Sequence, residues 1–595
     1  MENISRIFDI LYYYEKRFPH KSIFHNKVNG QWQKILPSEV INKASQLATS
    51  FLQFQLGAKE FTPETQDKIA IISNNRTEWM VVDFATQISG CVLVPIYPSI
   101  TENEWEYILN ESQAAILFIS DNSIYKKIKK IKDRLPFLKA IYSFDQIDGV
   151  DAWTKLFVTP TQNELAEIEK IKSQIKPEHL ATIIYTSGTT GNPKGVMLSH
   201  ANIVSNVLGS IDCFNFCDSN ERSLSFLPLN HVFERTVMYI YLYKGVEVYF
   251  AEGMETIGPN LKEVKPVVFT TVPRLLEKVY EKIDEKGREL NGIKRKLFDW
   301  AVQLGLAYEI DPNQRSFFYN LQLKIADVLI YKKWREAIGG NIKAIITGSA
   351  ACQVKLLKLF TAANIIVMEG YGLTETSPVV SVNRYQSEGR MFGTIGKIIN
   401  NVEVKIADDG EILCKGPNIM MGYYKHPELT EEVIKDGWFY TGDIGTLINQ
   451  KFLKITDRKK EIFKISGGKY IAPLPLENKM KESPYIEQIM VVGQNEKFAG
   501  ALIVPAIEKI KEYFINLGVT ISKDVDFSTD KDVLKLIRNE LNNFNKLFPA
   551  HEQVKKFQIV PNEWTIDGGE LTATLKLKRK KIAEKYQHLI DNIYK

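Results

Sequence analysis

Residues 185–195 read Tyr-Thr-Ser-Gly-Thr-Thr-Gly-Asn-Pro-Lys-Gly, a stretch that holds three glycines, three threonines, a serine and a lysine. Glycine lets successive backbone N–H groups turn inward without a Cβ penalty. Together with the hydroxyls of Thr186, Ser187, Thr189 and Thr190, such N–H groups make a nest for phosphate oxygens, and Lys194 adds a point charge. The spacing is not that of a Walker A loop, which needs Gly-Lys-Ser/Thr after four residues. Here Gly188 and Gly191 are three apart and Lys194 is followed by Gly195. A hairpin turn rich in small polar residues is the alternative, and the density of the motif favours anion binding.

Four further stretches carry chemistry. Glu369–Thr376 sets Tyr371 between Gly370 and Gly372, a flat and accessible ring suited to stacking on a purine. It also puts Thr374 beside Glu375, hard oxygens of the kind Mg²⁺ prefers. A turn around a core tyrosine is the bland alternative. Trp438–Gly445 places Asp443 in a glycine-bounded turn, where a carboxylate accepts from two ribose hydroxyls or satisfies the turn's own N–H groups. Asp457-Arg-Lys-Lys-Glu461 precedes Ser466-Gly467-Gly468, and a surface ion-pair cluster would explain the charges but not their place beside two glycines. Thr572–Arg579 is basic, and a solvated tail would explain it equally well.

These stretches need a scaffold, and the patterning predicts one built on parallel strands. Lys68–Ser73, Cys91–Tyr97 and Ala114–Ser120 are strand-like, with a helix over Thr77–Ser89 between the first two. The glycine-rich stretch follows the apolar run Ala181–Ile184 and precedes Val196–Leu198, after which Ser199 is placed to cap a helix over Ala201–Leu208. Val246–Ala251, Val267–Thr271, Ile342–Thr347 and Ile365–Met368 are strand candidates ending in small or polar residues, where doubly wound sheets put ligands. The helix expected over Tyr125–Leu135 sets Ile124, Ile128, Ile131 and Leu135 on one face and basic residues elsewhere; docking on a sheet is favoured over a membrane. A long helical stretch from about Pro273 to Ile338 carries Phe317, Phe318, Tyr319, Tyr331 and Trp334, for which packing is the default and an oligomer face or a membrane contact the alternatives. Short strands and turns over 393–424 suggest a small β-barrel, and the segment from Asp457 mixes short strands with a helix near Asp530–Phe544.

Composition bounds the class. A chain of 595 residues needs more than one core, and 44% apolar with 25% charged residues indicates ordinary globular domains. A net charge of +5 is too mild to argue for nucleic acid as a partner. Five cysteines with no CxxC pair point to a reducing compartment rather than a disulfide framework. With no basic-then-apolar leader and no run of 18 apolar residues, the expectation is a soluble, cytoplasmic protein.

Read together, TSGTTGNPKG, GYGLTETSP, YTGDIG, DRKKEIFKISGGKYIAP and LTATLKLKR stand in the order and spacing of the adenylate-forming (AMP-dependent) synthetases, over nearly the whole chain. LPLNHVFER, TTVPRLLEKVY and the helical insertion before TGSAA resemble the long-chain fatty acyl-CoA synthetase branch. The resemblance implies an α/β fold. An N-terminal region over 1–456 would hold two sheet-and-helix subdomains plus a β-barrel, and 457–595 would form a small mobile α+β lid. It implies that a fatty carboxylate attacks the α-phosphorus of MgATP to give acyl-AMP and pyrophosphate, and that the thiol of coenzyme A then displaces AMP. Mg²⁺ would be the cofactor, with ATP, coenzyme A and a long-chain fatty acid as substrates.

The implied roles are these. Thr186, Ser187, Gly188, Thr189, Thr190, Gly191 and Lys194 would hold phosphates, with Glu375 and Thr186 serving Mg²⁺. Gly348, Ser349, Ala350, Gly370, Tyr371, Gly372 and Thr374 would surround the adenine, and Asp443 and Arg458 the ribose, with Lys460 nearby. His231 and Gly348 would border the acyl group, Asp457 would be the hinge, and Lys464, Gly467 and Gly468 would line the coenzyme A path. Lys576 would contact the charge that develops at the acyl-adenylate. One departure bears on that assignment: Thr574-Leu575 stands before the lysine where the common motif has Ser-Gly, and Ala573 stands where the branch usually has proline. Lys578 is therefore a rival, and counting back from Arg579 favours Lys576. A ligase loading a separate carrier protein and a non-catalytic nucleotide- or lipid-surface-binding protein are the competing classes. Acyl length, oligomeric state and peripheral membrane contact are left open by the sequence.

Overall fold

The computed structural model describes residues 4–58, 60–186, 192–518, 526–566, 568–572 and 575–595. The chain divides into two compact units, the first made of 1–349, 354–405 and 413–440, the second of 350–353, 406–412 and 441–595.

The first unit is α/β. One of its sheets runs, in order, Gly422–Tyr423, Lys194–Ser199, Leu180–Thr186, Val92–Ile96, Lys68–Ile72, Ala114–Ile119, Ala140–Ser143 and Asp151–Ala152. Lys68–Ile72 pairs in parallel with both Val92–Ile96 and Ala114–Ile119, as the patterning predicts. These strands are buried along their whole length, the expected burial of a parallel sheet covered on both faces. Helix Asn122–Ile131 buries Ile124, Ile128 and Ile131, so the basic helix is docked on protein and its lysines face solvent.

A second sheet of this unit places Ala344–Thr347 between Val268–Thr271 and Ile366–Gly372, all parallel. It continues through Arg222–Ser225 and Glu247–Phe250 to the hairpin Phe24–Val28 and Gln31–Ile35. The helical stretch before it consists of Pro273–Arg288, Gly292–Leu306, Phe317–Ala326, a π-turn segment Asp327–Tyr331, and Lys332–Ala337. Tyr331 and Trp334 are buried, as packing would have them. Phe317 and Phe318 are not: they are 78% and 73% exposed.

A buried charge joins these layers. Arg235, on helix Val232–Lys244, is 1% exposed. Its guanidinium donates to Asp83 Oδ1 at 2.5 Å, to Thr182 Oγ1 at 2.9 Å and to the Tyr239 hydroxyl at 2.8 Å, and Tyr239 donates in turn to Asp83. Asp83 belongs to helix Thr77–Ile88, of which every residue but Glu78 is buried, and Thr182 to strand Leu180–Thr186. One residue earlier, Glu234 sits fully buried, accepting from Ser225 Oγ at 2.6 Å and from Thr270 Oγ1. Burial pushes its carboxyl up to about 7, against the opposing pull of those two hydroxyls.

The second unit contains the antiparallel pair Trp438–Ile448 and Phe452–Arg458, in the part from 441 onward. A three-stranded sheet of Ile486–Val492, Gly500–Pro505 and Lys556–Ile559 follows, packed by helices Pro473–Met480 and Lys531–Asn545. Its core includes Leu476, Met480, Ile489, Ile503, Ile537 and Leu541. All five cysteines are free and buried. No helix among the described residues is long and apolar enough to cross a membrane.

Removing one partner of a fully buried ion pair leaves an uncompensated charge, at a cost of about 3–5 kcal/mol. Arg235→Leu is expected to lower the urea unfolding midpoint strongly, and Asp83→Leu/Arg235→Leu to regain most of the loss. A single variant as stable as the wild type would show that the pair does not hold the layers.

Candidate active site

The flanks of the glycine-rich stretch are paired strands. Strands Leu180–Thr186 and Lys194–Ser199 are antiparallel, with Thr186 opposite Lys194 and Tyr185 opposite Gly195. Ser187, Gly188, Thr189, Thr190 and Gly191, the centre of the predicted phosphate nest, lie outside the described residues. Gly195 has a packing reason: a Cβ there would stand 2.9 Å from Ile183 Cγ2 and 3.1 Å from the Tyr185 ring. Ser199 caps helix His200–Ser210 by accepting from Asn202 N, as the sequence implies.

A third strand fastens onto this hairpin. Gly422–Tyr423 pairs with Met197 and Val196, and Tyr424 N donates to Gly195 O at 2.8 Å. Tyr423 is thereby set beside both charged residues predicted at the phosphates and Mg²⁺. Lys194 Nζ lies 4.9 Å from the centre of its ring, and its hydroxyl donates to Glu375 Oε1 at 2.9 Å. Burial, and then the Glu375 charge, pushes the phenol far above its ordinary value, so it remains a donor. Sequence reasoning did not single out Tyr423. Its only signal is its place in Gly422-Tyr423-Tyr424, 48 residues from Glu375.

Glu375 sits in the short turn Thr374–Thr376. The strand before it is longer than Ile365–Met368, running over Ile366–Gly372, so that Glu369, Gly370, Tyr371 and Gly372 lie on a strand rather than a loop. The antiparallel partner Val379–Val382 explains this, because Gly370 faces Val382 and Tyr371 faces Ser381. Tyr371 is half-buried there rather than an open platform. Gly372 approaches Pro378 O so closely that a Cβ would lie 1.7 Å from it, which only glycine tolerates. Gly348 ends the neighbouring region after Ala344–Thr347, its hypothetical Cβ 3.5 Å from both Gly370 O and the Phe233 ring. Ser349 follows with φ +71°. His231 precedes helix Val232–Lys244, its Nδ1 accepting from Phe233 N at 3.1 Å. Lys194 and Glu375 thus meet at Tyr423, with Thr186 in register opposite Lys194, while Gly348, Gly370 and Phe233 gather at the carboxyl ends of parallel strands.

In the second unit the predicted ribose pair is brought together. Asp443 is opposite Arg458 in register, and Arg458 Nε lies 3.2 Å from Asp443 Oδ1. Asp443 is on a strand, which corrects the expected turn: Gly442 takes φ +72° and a register shift follows at Ile444/Gly445, yet pairing continues. Gly442 N donates to Glu411 Oε1 at 2.8 Å, and Lys459 Nζ bridges Glu411 and Asp409. Ala350 falls in this unit, at 350–353. Lys460 is exposed.

Asp457 is fully buried, 0% exposed. Its Oδ1 accepts from Arg458 N at 2.7 Å and its Oδ2 from Leu474 N at 2.8 Å, in the first turn of helix Pro473–Met480. Burial raises its carboxyl to about 6 although those N–H groups oppose the shift, and Glu461 and Glu477 add repulsion. Lys464 and Tyr470 end a two-stranded hairpin whose exposed tip is Ser466-Gly467-Gly468, with Gly468 at φ +82°. Lys576 closes the turn that begins at Thr572: Thr572 N donates to Lys576 O at 2.8 Å and Lys576 N to Thr572 Oγ1 at 3.0 Å. Leu575 takes φ +61° within it. Lys576 is exposed and Lys578 half-buried. Behind them Arg579 is tied to Glu461 at 3.2 Å, to Val491 O at 3.2 Å and to Glu477.

Comparison with known proteins places this geometry. The family model described as AMP-binding enzyme matches residues 14–424, and that of the AMP-binding enzyme C-terminal domain matches 460–595. The chain belongs to the AMP-binding enzyme family. It is 32% identical over 589 residues to the long-chain-fatty-acid–CoA ligase FadD15 of Mycobacterium bovis, covering 98% of this chain and 96% of that protein. It is also 32% identical over 603 residues to the long-chain-fatty-acid–CoA ligase 5 of Rattus norvegicus, covering 96% and 85%. Among solved structures, the adenylation domain of the carboxylate reductase from Mycobacterium chelonae superposes with a TM-score of 0.74 at 18% identity, covering 99% of this chain and 91% of that one. That likeness shows the fold.

For an AMP-binding enzyme, the donor set suits Mg²⁺. Among the described residues no group of three His, Cys, Asp or Glu could cage a metal. Glu375 offers a single carboxylate with one oxygen engaged by Tyr423. Mg²⁺ commonly keeps waters and substrate phosphates and takes only one or two protein carboxylates, so this sparse set fits it better than it would fit Ca²⁺ or Zn²⁺.

The Asp457 carboxyl gives a pH signature. Its folded value of about 6 lies above the ordinary 3.8, so the folded chain holds this proton more tightly than the unfolded one. Its contribution to stability is therefore largest below 3.8, falls as pH rises towards about 6 and is level above. The difference in thermal unfolding midpoint between wild type and Asp457→Asn is expected to move against the wild type across that window. Parallel profiles for the two proteins would rule out a perturbed carboxyl.

Proposed function

We propose that the chain is an ATP-dependent ligase activating long-chain fatty acids: a fatty carboxylate becomes acyl-AMP with release of pyrophosphate, and coenzyme A then takes the acyl group with release of AMP. The observation that carries this reading is the similarity to long-chain-fatty-acid–CoA ligases over almost the full chain; Lys194, Glu375, Asp443, Arg458 and Lys576 are the residues its motifs would assign to the chemistry. In the first half-reaction a carboxylate oxygen forms a bond to the α-phosphorus as the bond to pyrophosphate breaks. In the second, the sulfur of coenzyme A attacks the acyl carbon, AMP leaves, and the thiol proton passes to solvent.

Bringing a carboxylate to a nucleotide of like charge demands fixed cationic groups at the oxygens where charge gathers. Lys194, held over Tyr423, would meet the outer phosphates together with the Ser187–Gly191 backbone and the Thr186 hydroxyl. Glu375 and Thr186 would hold Mg²⁺, which would offset phosphate charge. Tyr371 with Gly370, Gly372 and Thr374 would border the adenine beside Gly348, Ser349 and Ala350. Asp443 is paired with Arg458 across the two strands, and the two would bind the ribose diol. His231, whose Nδ1 accepts a backbone N–H, would border the acyl chain near Gly348. Peripheral contact with a lipid surface fits a substrate that resides there.

Long acids should be preferred. Each buried CH₂ contributes about 0.8 kcal/mol, so chains of roughly twelve carbons or more should exceed acetate by orders of magnitude in kcat/KM. Pyrophosphate release screened from two to twenty carbons, with coenzyme A and a holo-carrier protein compared as acceptors, measures this. Equal constants for acetate and palmitate, or transfer to the carrier alone, would overturn the assignment.

The two half-reactions would use different parts of the second unit. Lys576 would contact charge that develops during adenylation, so Lys576→Ala should lower acyl-AMP formation by about two to three powers of ten and spare thioester formation from supplied acyl-AMP. Asp457 would be the hinge, and Asp457→Pro, which fixes φ, should do the reverse. The Gly467-Gly468 tip with Lys464 would line the coenzyme A path. Pyrophosphate exchange and thioester formation measured separately decide this, and equal loss of both by both variants would refute a moving lid. Selective loss in Lys578→Ala in place of Lys576→Ala would transfer the role to Lys578.

A further inference from the structure

The turn that carries Glu375 is short, so some of its carbonyls must find donors outside it. Leu373 O accepts from Thr376 N at 3.0 Å and Thr374 O from Ser377 N at 3.2 Å, which closes the turn on itself. The next two carbonyls point elsewhere. Glu375 O accepts from Met420 N at 2.9 Å. Thr376 O accepts from two side-chain amides, Asn206 Nδ2 at 3.3 Å and Asn418 Nδ2 at 2.9 Å. A carbonyl oxygen has two lone pairs, and here a buried asparagine meets each.

Asn206 also grips the chain beyond Pro378. Its Nδ2 donates to Val379 O at 2.7 Å and its Oδ1 accepts from Val379 N at 3.1 Å. Asn202 lies on the same face of helix His200–Ser210 and donates to Pro417 O and Ile419 O, each at 2.8 Å. The carbonyls on either side of Asn418 are thus held by that helix, which continues directly from strand Lys194–Ser199. One strand and its following helix therefore carry Lys194 and fasten both the turn of Glu375 and the segment leading to Tyr423.

Stability alone does not account for Asn418. Among the described residues its buried Oδ1 accepts from no donor, and an unmatched buried acceptor is destabilising. What the side chain supplies is one N–H at the residue after Glu375. We propose that Asn206 and Asn418 are positioning residues for the Glu375 carboxylate, fixing its turn relative to Lys194 so that a nucleotide and its cation meet groups at a set separation. The inference rests on the reading of Glu375 as the residue that serves Mg²⁺. Residues that orient a metal-binding carboxylate commonly account for about ten- to a hundredfold in metal affinity.

The test is calorimetric binding of ATP to the full chain without fatty acid or coenzyme A, once with Mg²⁺ and once with EDTA, so that no turnover enters. The wild type is expected to bind ATP more tightly with Mg²⁺. Asn418→Leu should lose about tenfold of that advantage, with binding in EDTA and the thermal midpoint unchanged. Asn206→Ala, which also frees Val379 N, should lose at least as much of it and melt lower. Glu375→Gln/Asn418→Leu should lose no more than Glu375→Gln alone, because both changes act through one carboxylate. Equal weakening with Mg²⁺ and with EDTA, or losses that add in the double variant, would show a merely structural role and overturn the proposal. A wild type that binds ATP equally with and without Mg²⁺ would overturn the metal reading of Glu375, and this inference with it.

Discussion

Much of the first unit hangs on a charge that cannot reach water. Arg235 has no exit from the core, and its guanidinium is directed at once to a helix, a strand and its own helix through Asp83, Thr182 and Tyr239. A buried ion pair is seldom a net gain over apolar packing, but it tolerates very few arrangements of its partners. Here the arrangement it tolerates sets helix Val232–Lys244 against strand Leu180–Thr186. The start of that helix is His231 and the end of that strand is Thr186, so one internal electrostatic constraint fixes the relation between two edges of the candidate site.

The second unit has a counterpart in Arg579. It links Glu461, from the charged stretch after Asp457, with Glu477 on helix Pro473–Met480, whose first turn donates to Asp457. The turn that carries Lys576 immediately precedes Arg579. Leu575 occupies the left-handed region within that turn, a conformation that costs a leucine roughly 1–2 kcal/mol and a glycine little. The surrounding bonds from Thr572 to Lys576 and from Lys578 N to Glu570 O sustain it.

The framework was legible in sequence wherever a periodic signal coincided with a punctuating residue. Lys68–Ile72, Ala114–Ile119 and the Ser199-capped helix are of this kind, and the hairpin flanks at Thr186 and Lys194 follow from two apolar runs around one glycine-rich stretch. Asp443 was misplaced because Gly442 and Gly445 mimic a turn, and only the cross-strand partner Arg458 shows that the strand continues. Tyr423 carries no local pattern; its meaning is its pairing with Val196 and its reach to Glu375. Phe317 and Phe318 stood out in the sequence but were expected to pack, because a helix apolar on both sides gives no periodic contrast to say which side is covered.

The Tyr423 ring also has a chemical consequence. An ammonium and a carboxylate in direct contact would saturate each other and leave little for a ligand. With an aromatic ring beside both, Lys194 meets a π-face rather than a carboxylate. Among the described residues, the Tyr423 hydroxyl is the donor seen at the Glu375 carboxylate. The ring acts as a spacer between opposite charges that would otherwise cancel. Under the proposed function, such a pair of groups would suit an anion and a cation arriving together better than either alone.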